Sequence, residues 1–570
     1  MKIALIQLNY HVGNIEANVA KIKTGIRQAK TQGVDLAVFA ELAICGYPPK
    51  DLVLQNGFVE KCENAAVEIA RECDGIAAIV GGPSRNLSKR GRLVLNSAFF
   101  LEDGKVKAKI NKSLRPFYDV FDEYRYFEPG ADNKLISFKE NKLAITVCED
   151  IWNQYPDETG HYFHQRFPLQ EMGVDKADCI INISASPFSY MHRYERDRVA
   201  CGVAAHYKTP LVYVNNIGAN TDLIFDGGSF IVDKEGSIVA QSVFFEEASL
   251  IFELDKKEIK ASQKNGSGKN NTKKSPTVWY CAPQGDYDTI ITESVYEALV
   301  LGIRDYFNKT GAKKAVLGVS GGIDSALVLV LAQKALGKEN VMAVVLPSKF
   351  SSTETMNDAM QLLKNTDCPY HLLSIEPGVK AVNESLSEAF KGLAADVTEE
   401  NIQARMRGLL IMAVSNKMGA LMLNTSNKSE LSTGYGTLYG DMGGALSVIG
   451  DLYKTQIYRL AEYVNEVSPG LIPGNILTKA PTAELKPNQK DTDTLPEFEI
   501  LDNILCQYIE QHKSSDEIKV NGADEALIKK VVNMVNKTEF KRQQFCPILR
   551  VSPKAFGIGR RMPVAGKYEL

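Results

Sequence analysis

The sequence predicts an α/β protein made of two successive layered domains, and three observations carry that prediction. Short apolar runs recur through residues 1–255, separated by segments whose apolar positions have helical spacing. A stretch rich in Lys, Asn, Ser and Gly, KKEIKASQKNGSGKNNTKKSP, then breaks the pattern and cannot bury a core. From about residue 285 helix and strand alternate around a Gly-rich turn, as in an open, doubly wound parallel sheet. The expected division is a first domain at 1–255, a linker or mobile loop at 256–284 and a second domain at 285–570.

In the first domain KIALIQL, VDLAVFAEL, IAAIVGG, LVLNSAFFL, KLAITVCED, ADCIINIS, TPLVYVNN and GGSFIVD read as strands. Several are nearly unbroken apolar series, which suits strands covered on both faces. IEANVAKIKTGIRQAKTQG reads as a helix ending at a Gly stop signal. SAFFLEDGKVKAKI reads as a hairpin turning at Asp103-Gly104. In the second domain SVYEALVLGIRDYFNKTG is an amphipathic helix and KAVLGV a buried strand. SALVLVLAQKALG is a helix closed by Gly337, and VMAVVLP and ALMLNTS are further strands of parallel type.

A chain of 570 residues needs no disulfide or metal staple to fold. Its 66 basic and 69 acidic side chains leave a net charge of −3, which argues against a generic nucleic-acid binder but leaves room for a local basic pocket. No run approaches the roughly 18–20 apolar residues of a membrane span, and MKIALIQLNY reads as a first strand rather than a secretory signal. The ten Cys are scattered, with no C-x-x-C pair, as expected of reduced thiols in the cytoplasm.

The sharpest signal is G-V-S-G-G-I-D-S: Gly318, Val319, Ser320, Gly321, Gly322, Ile323, Asp324 and Ser325. A strand enters a turn of small residues and a helix starts at once, so backbone N–H groups and the helix N-terminus face any anion placed there. The Lys of a Walker A loop is absent. A carboxylate beside phosphates needs a cation between them, so Asp324 is a candidate Mg²⁺ ligand. In the first domain Glu41, Lys112 and Cys148 each follow a strand-like run, so all three converge at one sheet edge. A carboxylate to take a thiol proton, and a lysine to stabilise thiolate and oxyanion, form a coherent nucleophilic centre.

S-G-G-x-D-S resembles the pyrophosphate loop of the N-type ATP pyrophosphatases. F-A-E-L, K-S-L and C-E-D resemble the nitrilase superfamily of Glu-Lys-Cys amidases, with Glu123 as an additional acid near the lysine. The two halves together resemble the glutamine-dependent NAD⁺ synthetases over essentially the whole chain. The resemblance implies an α-β-β-α nitrilase-like sandwich followed by a doubly wound parallel-sheet domain. It implies ATP and Mg²⁺, the substrates deamido-NAD⁺ and L-glutamine, no nucleic acid or membrane partner, and a homo-oligomer.

By that resemblance Glu41 is the base, Lys112 the charge stabiliser and Cys148 the nucleophile, with Tyr118, Ser186 and His192 holding glutamine. Residues 318–325 with Thr425, Lys454 and Thr482 contact ATP. Asn401, Arg405, Glu430 and Lys541 contact deamido-NAD⁺, and Asp324 and Glu430 serve the metal. Leu438 stands where shorter, ammonia-using relatives carry a Lys. Two other classes compete. An adenylating enzyme with another acceptor, such as a tRNA, is disfavoured by the net charge; a non-catalytic nucleotide module is disfavoured by the joint presence of Glu41, Lys112, Cys148 and Asp324.

Overall fold

The computed structural model describes residues 1–154, 161–261, 289–482, 484–486 and 495–568. The chain forms two compact units, Met1–Lys273 and Lys274–Leu570. Among the described residues no helix is long and apolar enough to cross a membrane.

In the first unit two sheets lie face to face. One runs, in spatial order, Glu258–Ala261, Ala248–Asp255, Lys2–Gln7, Leu36–Val38, Ala77–Arg85, Val94–Glu102 and Lys105–Asn111, with Phe127–Glu128 paired to Val94–Glu102. The other runs Ile238–Gln241, Phe230–Val232, Leu211–Asn215, Cys179–Ser184, Asn141–Val147 and Ile136–Phe138. Ile3, Leu5, Leu36, Val38, Ile79 and Phe100 of the first sheet share one buried core with Leu143, Ile145, Ile181, Ile183, Val212 and Val214 of the second. The most apolar runs form the parallel centres of both sheets, where each strand is covered above and below.

Helices cover the outer faces. Ile15–Thr31 starts on the Asn14 side chain, which accepts from Ala17 N, and buries Val19, Ile22, Ile26 and Ala29 along one stripe. His192–Tyr207 packs Ala200, Val203 and Ala204 against Ile180, Leu211 and Tyr213. The layers are therefore α-β-β-α. The Asp103-Gly104 turn has φ of 49° and 70°, the left-handed pair a tight hairpin needs. One difference concerns the tether expected from residue 256. Glu258–Ala261 forms a strand antiparallel to Ala248–Asp255, because Ile259 pairs with the buried Leu254 and prolongs the sheet. Residues 262–284 of that stretch lie outside the described residues.

The second unit is built on an all-parallel sheet in the order Tyr370–Leu372, Val341–Val345, Ala315–Gly318, Leu421–Asn424, Leu446–Ser447. The order reverses between Ala315–Gly318 and Leu421–Asn424, and ligands of such sheets bind outside the carboxyl ends of the strands at that point. Helix Ile323–Leu336 is apolar on nearly every side because it is enclosed by the sheet and by helices Thr289–Thr310 and Lys454–Val467. Helices Phe498–Ile509 and Glu525–Lys537 build a second core that also takes Leu431, and so anchor the short helix Lys428–Thr433.

Candidate active sites

Glu41 reaches the first site through a tight turn. The strand ends at Val38, earlier than VDLAVFAEL suggests, and Leu42 adopts φ 49°. Gly81 on the neighbouring strand makes room: a Cβ there would lie 2.4 Å from both the Ala40 carbonyl oxygen and Leu42 N. Lys112 follows strand Lys105–Asn111, held by its own N–H on Asn96 O at 2.8 Å and by Gly130 N on its carbonyl at 2.7 Å. Cys148 follows strand Asn141–Val147 at φ 46°, a left-handed conformation costing a non-Gly residue about 1–2 kcal/mol. The Asn182 side chain donates to its carbonyl at 3.2 Å and holds it there.

These residues meet in the interior between two facing sheets rather than at the edge of one. Glu41 and Lys112 follow strands of the first sheet and Cys148 a strand of the second. Lys112 Nζ donates to Glu41 Oε1 at 2.9 Å and to Glu123 Oε1 at 2.8 Å, and Lys112 and Glu41 are no more than 1% exposed. Asn96 Nδ2 and Ala185 N donate to the two oxygens of Glu41 at 2.7 and 2.9 Å. Tyr47 O–H donates to Glu123 Oε1 at 3.1 Å. Burial opposes the charge on Lys112, but the Glu123 and Glu41 carboxylates outweigh it and hold the ammonium well above the ordinary lysine range. Burial first, and then the Glu41 carboxylate, push the Cys148 thiol well up against the pull of Lys112. At rest Cys148 is therefore a thiol beside an anchored carboxylate.

The expected glutamine contacts gather around this centre. Tyr118 O–H donates to Glu149 Oε2 at 2.9 Å, and His164 Nε2 meets Glu149 Oε1 at 3.0 Å. Ser186 follows Ala185, whose N–H holds Glu41, and its hydroxyl meets His192 Nε2 at 2.9 Å. His192 opens its helix and stacks flat on Trp152, rings 5.2 Å apart. The motif reading passed over Asn96, Asn182, Glu149 and His164. A signal existed for the two Asn, since an amide inside an apolar strand such as LVLNSAFFL or CIINIS must find a buried partner.

In the second unit the 318–325 turn sits at the sheet's reversal point. Ser320 and Gly322 donate their N–H groups to the Ser325 and Ser320 hydroxyls, each at 3.2 Å. Gly321 has φ 85°, and a Cβ on it would lie 2.3 Å from the Thr355 carbonyl oxygen. Thr425 follows strand Leu421–Asn424 on the other side of the reversal. Asn427 Nδ2 donates to Asp324 Oδ1 at 3.0 Å, while its N–H meets Glu430 Oε2 at 3.2 Å. One residue, through its side chain and its backbone N–H, thus ties together the two carboxylates expected to serve the metal. Lys454 Nζ pairs with Asp324 Oδ2. Burial works against its charge, and the Asp324 and Glu430 carboxylates more than restore it.

The remaining expected residues fall into two groups. Asn401 Oδ1 accepts from Thr437 Oγ1 at 2.7 Å, Arg405 Nε donates to Leu438 O at 3.2 Å, and Lys541 Nζ donates to Gly434 O and Gly436 O at 2.8 and 2.7 Å. All three hold the loop that leaves the Glu430 helix. Thr482 accepts from Glu484 N at 3.3 Å, in a segment that reaches the helix of Asn401 and Arg405 where Gln403 Nε2 donates to Leu485 O at 3.1 Å. The Glu484 carboxylate in turn binds Thr355 Oγ1 at 2.8 Å, which ties that segment to the helix against Gly321. Asp502, which no motif flagged, accepts from Ser429 Oγ at 2.5 Å and Thr455 N at 2.9 Å, and thereby fixes the neighbours of Glu430 and Lys454.

The carbon-nitrogen hydrolase family matches residues 2–264, and the NAD synthase family matches residues 295–545. A glutamine-dependent NAD(+) synthetase of Synechocystis sp. is 42% identical over 99% of this chain and 98% of its own length. The chain belongs to the glutamine-dependent NAD(+) synthetase family. The synthetase of Thermotoga maritima is 36% identical over 100% of this chain and 99% of its own. Among solved structures, the glutamine-dependent NAD⁺ synthetase of Acinetobacter baumannii in complex with ADP superposes with a TM-score of 0.74, 34% identity and coverage of 99% and 98% of the two chains. That of Cytophaga hutchinsonii reaches 0.79 at 20% identity over 99% and 98%, which speaks for the fold alone. The enzyme is therefore a two-unit synthetase, one unit matching each family.

Proposed function

We propose that this enzyme amidates deamido-NAD⁺ to NAD⁺ at the expense of ATP, with ammonia that the Glu41–Lys112–Cys148 centre frees from L-glutamine. The observation that carries this reading is the buried Glu41–Lys112 pair beside Cys148, in a chain that also bears the S-G-G-I-D-S turn at a sheet reversal point. Cys148 Sγ attacks the side-chain amide carbon of glutamine as Glu41 takes its proton. Lys112 faces the charge that develops on the carbonyl oxygen. The C–N bond breaks, ammonia leaves with the proton returned by Glu41, and a thioester remains. Water, deprotonated by Glu41, hydrolyses it to glutamate and restores the thiol.

In the second unit the nicotinate carboxylate attacks the α-phosphorus of ATP, and pyrophosphate leaves toward the 318–325 turn. Ammonia then attacks the acyl carbon, AMP departs and a proton is released. The donor set fits Mg²⁺: Asp324 and Glu430 are hard oxygen ligands bridged by Asn427. Among the described residues no cluster of three or more His, Cys, Asp or Glu could hold a metal by itself; Asp324 and Glu430 would hold the ion together with the nucleotide's phosphates and water, as is usual for Mg²⁺. When bound, the ion neutralises charge on the phosphates. Asn401, Arg405 and Lys541 hold the dinucleotide side, and Thr425, Lys454 and Thr482 the ATP side. The same reading places the enzyme in the cytoplasm as a homo-oligomer.

NAD⁺ formation from deamido-NAD⁺ and MgATP, with glutamine or ammonium, tests the reading. Cys148→Ala should lose the glutamine-supported rate by at least about 10²-fold and keep the ammonium-supported rate. No NAD⁺ from either nitrogen source in the unmodified enzyme would sink the acceptor assignment.

A further inference from the structure

The amidase centre is assembled from two different sheets. Lys112 continues strand Lys105–Asn111 of one, and Cys148 continues strand Asn141–Val147 of the other. Facing sheets are spaced by side-chain packing, about 10 Å apart, and apolar packing is not directional. A lysine and a thiol that must act together within a few tenths of an ångström need a directional tie between the sheets.

The Asp150 carboxylate is such a tie. Its Oδ1 accepts the backbone N–H groups of Ser113 at 2.8 Å and Leu114 at 2.9 Å, the two residues after Lys112. Its Oδ2 accepts the N–H of Val147 at 3.0 Å, the residue before Cys148. Asp150 is 3% exposed, so these bonds form away from water, where a charged acceptor is worth most. Burial pushes its carboxyl up to about 6, while the N–H groups of Leu114, Val147 and Ser113 pull it down.

We infer that Asp150 is a positioning residue of the amidase centre, whose single carboxylate sets the Lys112–Cys148 spacing by binding the backbone beside both. The inference rests on the amidase reading above. An amide in place of the carboxylate leaves one acceptor and turns an N–H₂ donor toward a backbone N–H group, so Asp150→Asn releases one arm of the tie. A displacement near 1 Å costs a reaction on the order of 10²-fold, and the loss falls on turnover rather than on glutamine binding.

The test compares the purified full-length enzyme with Asp150→Asn, Asp150→Glu and Cys148→Ala. Glutamine-supported and ammonium-supported NAD⁺ formation are measured together with the rate constant for Cys148 alkylation by iodoacetamide. The expected result for Asp150→Asn is a fall in glutamine kcat of roughly 10- to 100-fold, with KM changed less than about 3-fold and ammonium-supported turnover retained. The alkylation rate constant at Cys148 itself, read by peptide mapping, should change as well; a merely destabilised fold would instead expose buried thiols such as Cys45, Cys62 and Cys179 to the reagent. Unchanged glutamine kcat, or a loss confined to KM, overturns the inference. If Asp150→Asn fails to fold, Asp150→Glu decides by the same readouts, and failure of both to fold overturns it in favour of a purely structural carboxylate. Cys148→Ala separates the two levels: glutamine-supported activity surviving there defeats the amidase reading itself, whereas its loss there with full activity in Asp150→Asn defeats only the positioning role.

Discussion

At the scale of single residues, the first site keeps its charges by pairing them. Lys112 is buried between Glu41 and Glu123, and removing one member of such a set leaves an uncompensated charge away from water. Lys112→Met should therefore lower glutamine-supported kcat by about 10²-fold or more, and the ammonium-supported rate serves as internal control. Asp502 offers a pH test in the other unit. Burial raises its carboxyl from 3.8 to about 6 against the bonds from Ser429 and Thr455. A group that binds its proton more tightly when folded supports the fold below about pH 4, and that support is lost as pH climbs through about 6. In Asp502→Asn nothing titrates there, so the melting-temperature advantage of the unmodified enzyme over the variant should shrink across that window. A constant difference would show that Asp502 does not titrate as argued.

At the scale of elements, two glycines decide where chemistry-bearing turns can lie. Gly81 leaves no room for a Cβ against the Glu41 turn. Gly81→Ala should push that turn off its strand and cut glutamine-supported turnover at least about 10-fold, with the ammonium-supported rate kept. Gly321 combines φ 85° with close contact to the Thr355 carbonyl. Gly321→Ala carries about 1–3 kcal/mol of backbone strain and should raise the KM for ATP with either nitrogen source. Steady-state kinetics with both donors distinguishes the two cases, and an ATP KM unmoved in Gly321→Ala would contradict the role given to that turn.

At the scale of the molecule, the proposed mechanism gives the two units separable duties. Asp324→Ala should lose NAD⁺ formation from glutamine and from ammonium alike, by at least about 10²-fold, while glutamine is still hydrolysed to glutamate. Cys148→Ala should lose glutamine hydrolysis and glutamine-supported NAD⁺ formation together, and keep NAD⁺ formation from ammonium. Measuring glutamate and NAD⁺ in parallel checks both, and an Asp324→Ala enzyme that still forms NAD⁺ from ammonium would remove Asp324 from the synthetase site. Light scattering on the purified enzyme tests the homo-oligomer; a mass equal to one chain would refute it.

Local patterning made much of this legible in the sequence. Apolar runs of period one or two marked KIALIQL, KLAITVCED and VMAVVLP as strands, and the small residues of S-G-G-I-D-S marked a turn between strand and helix. Cys148 and Lys112 stood out because each breaks an element at its carboxyl end. Such signals are local, since propensity and period act over a few residues. Pairings across the chain are not local, and only the tertiary structure decided them. It ended the second strand at Val38 because Gly81, about forty residues on, leaves space for a turn. It placed Asn96 against Glu41, Asn427 between Asp324 and Glu430, and Asp150 between two sheets. Each is a buried polar group whose partner is chosen by the packing of distant segments, and burial itself exists only once those segments have come together.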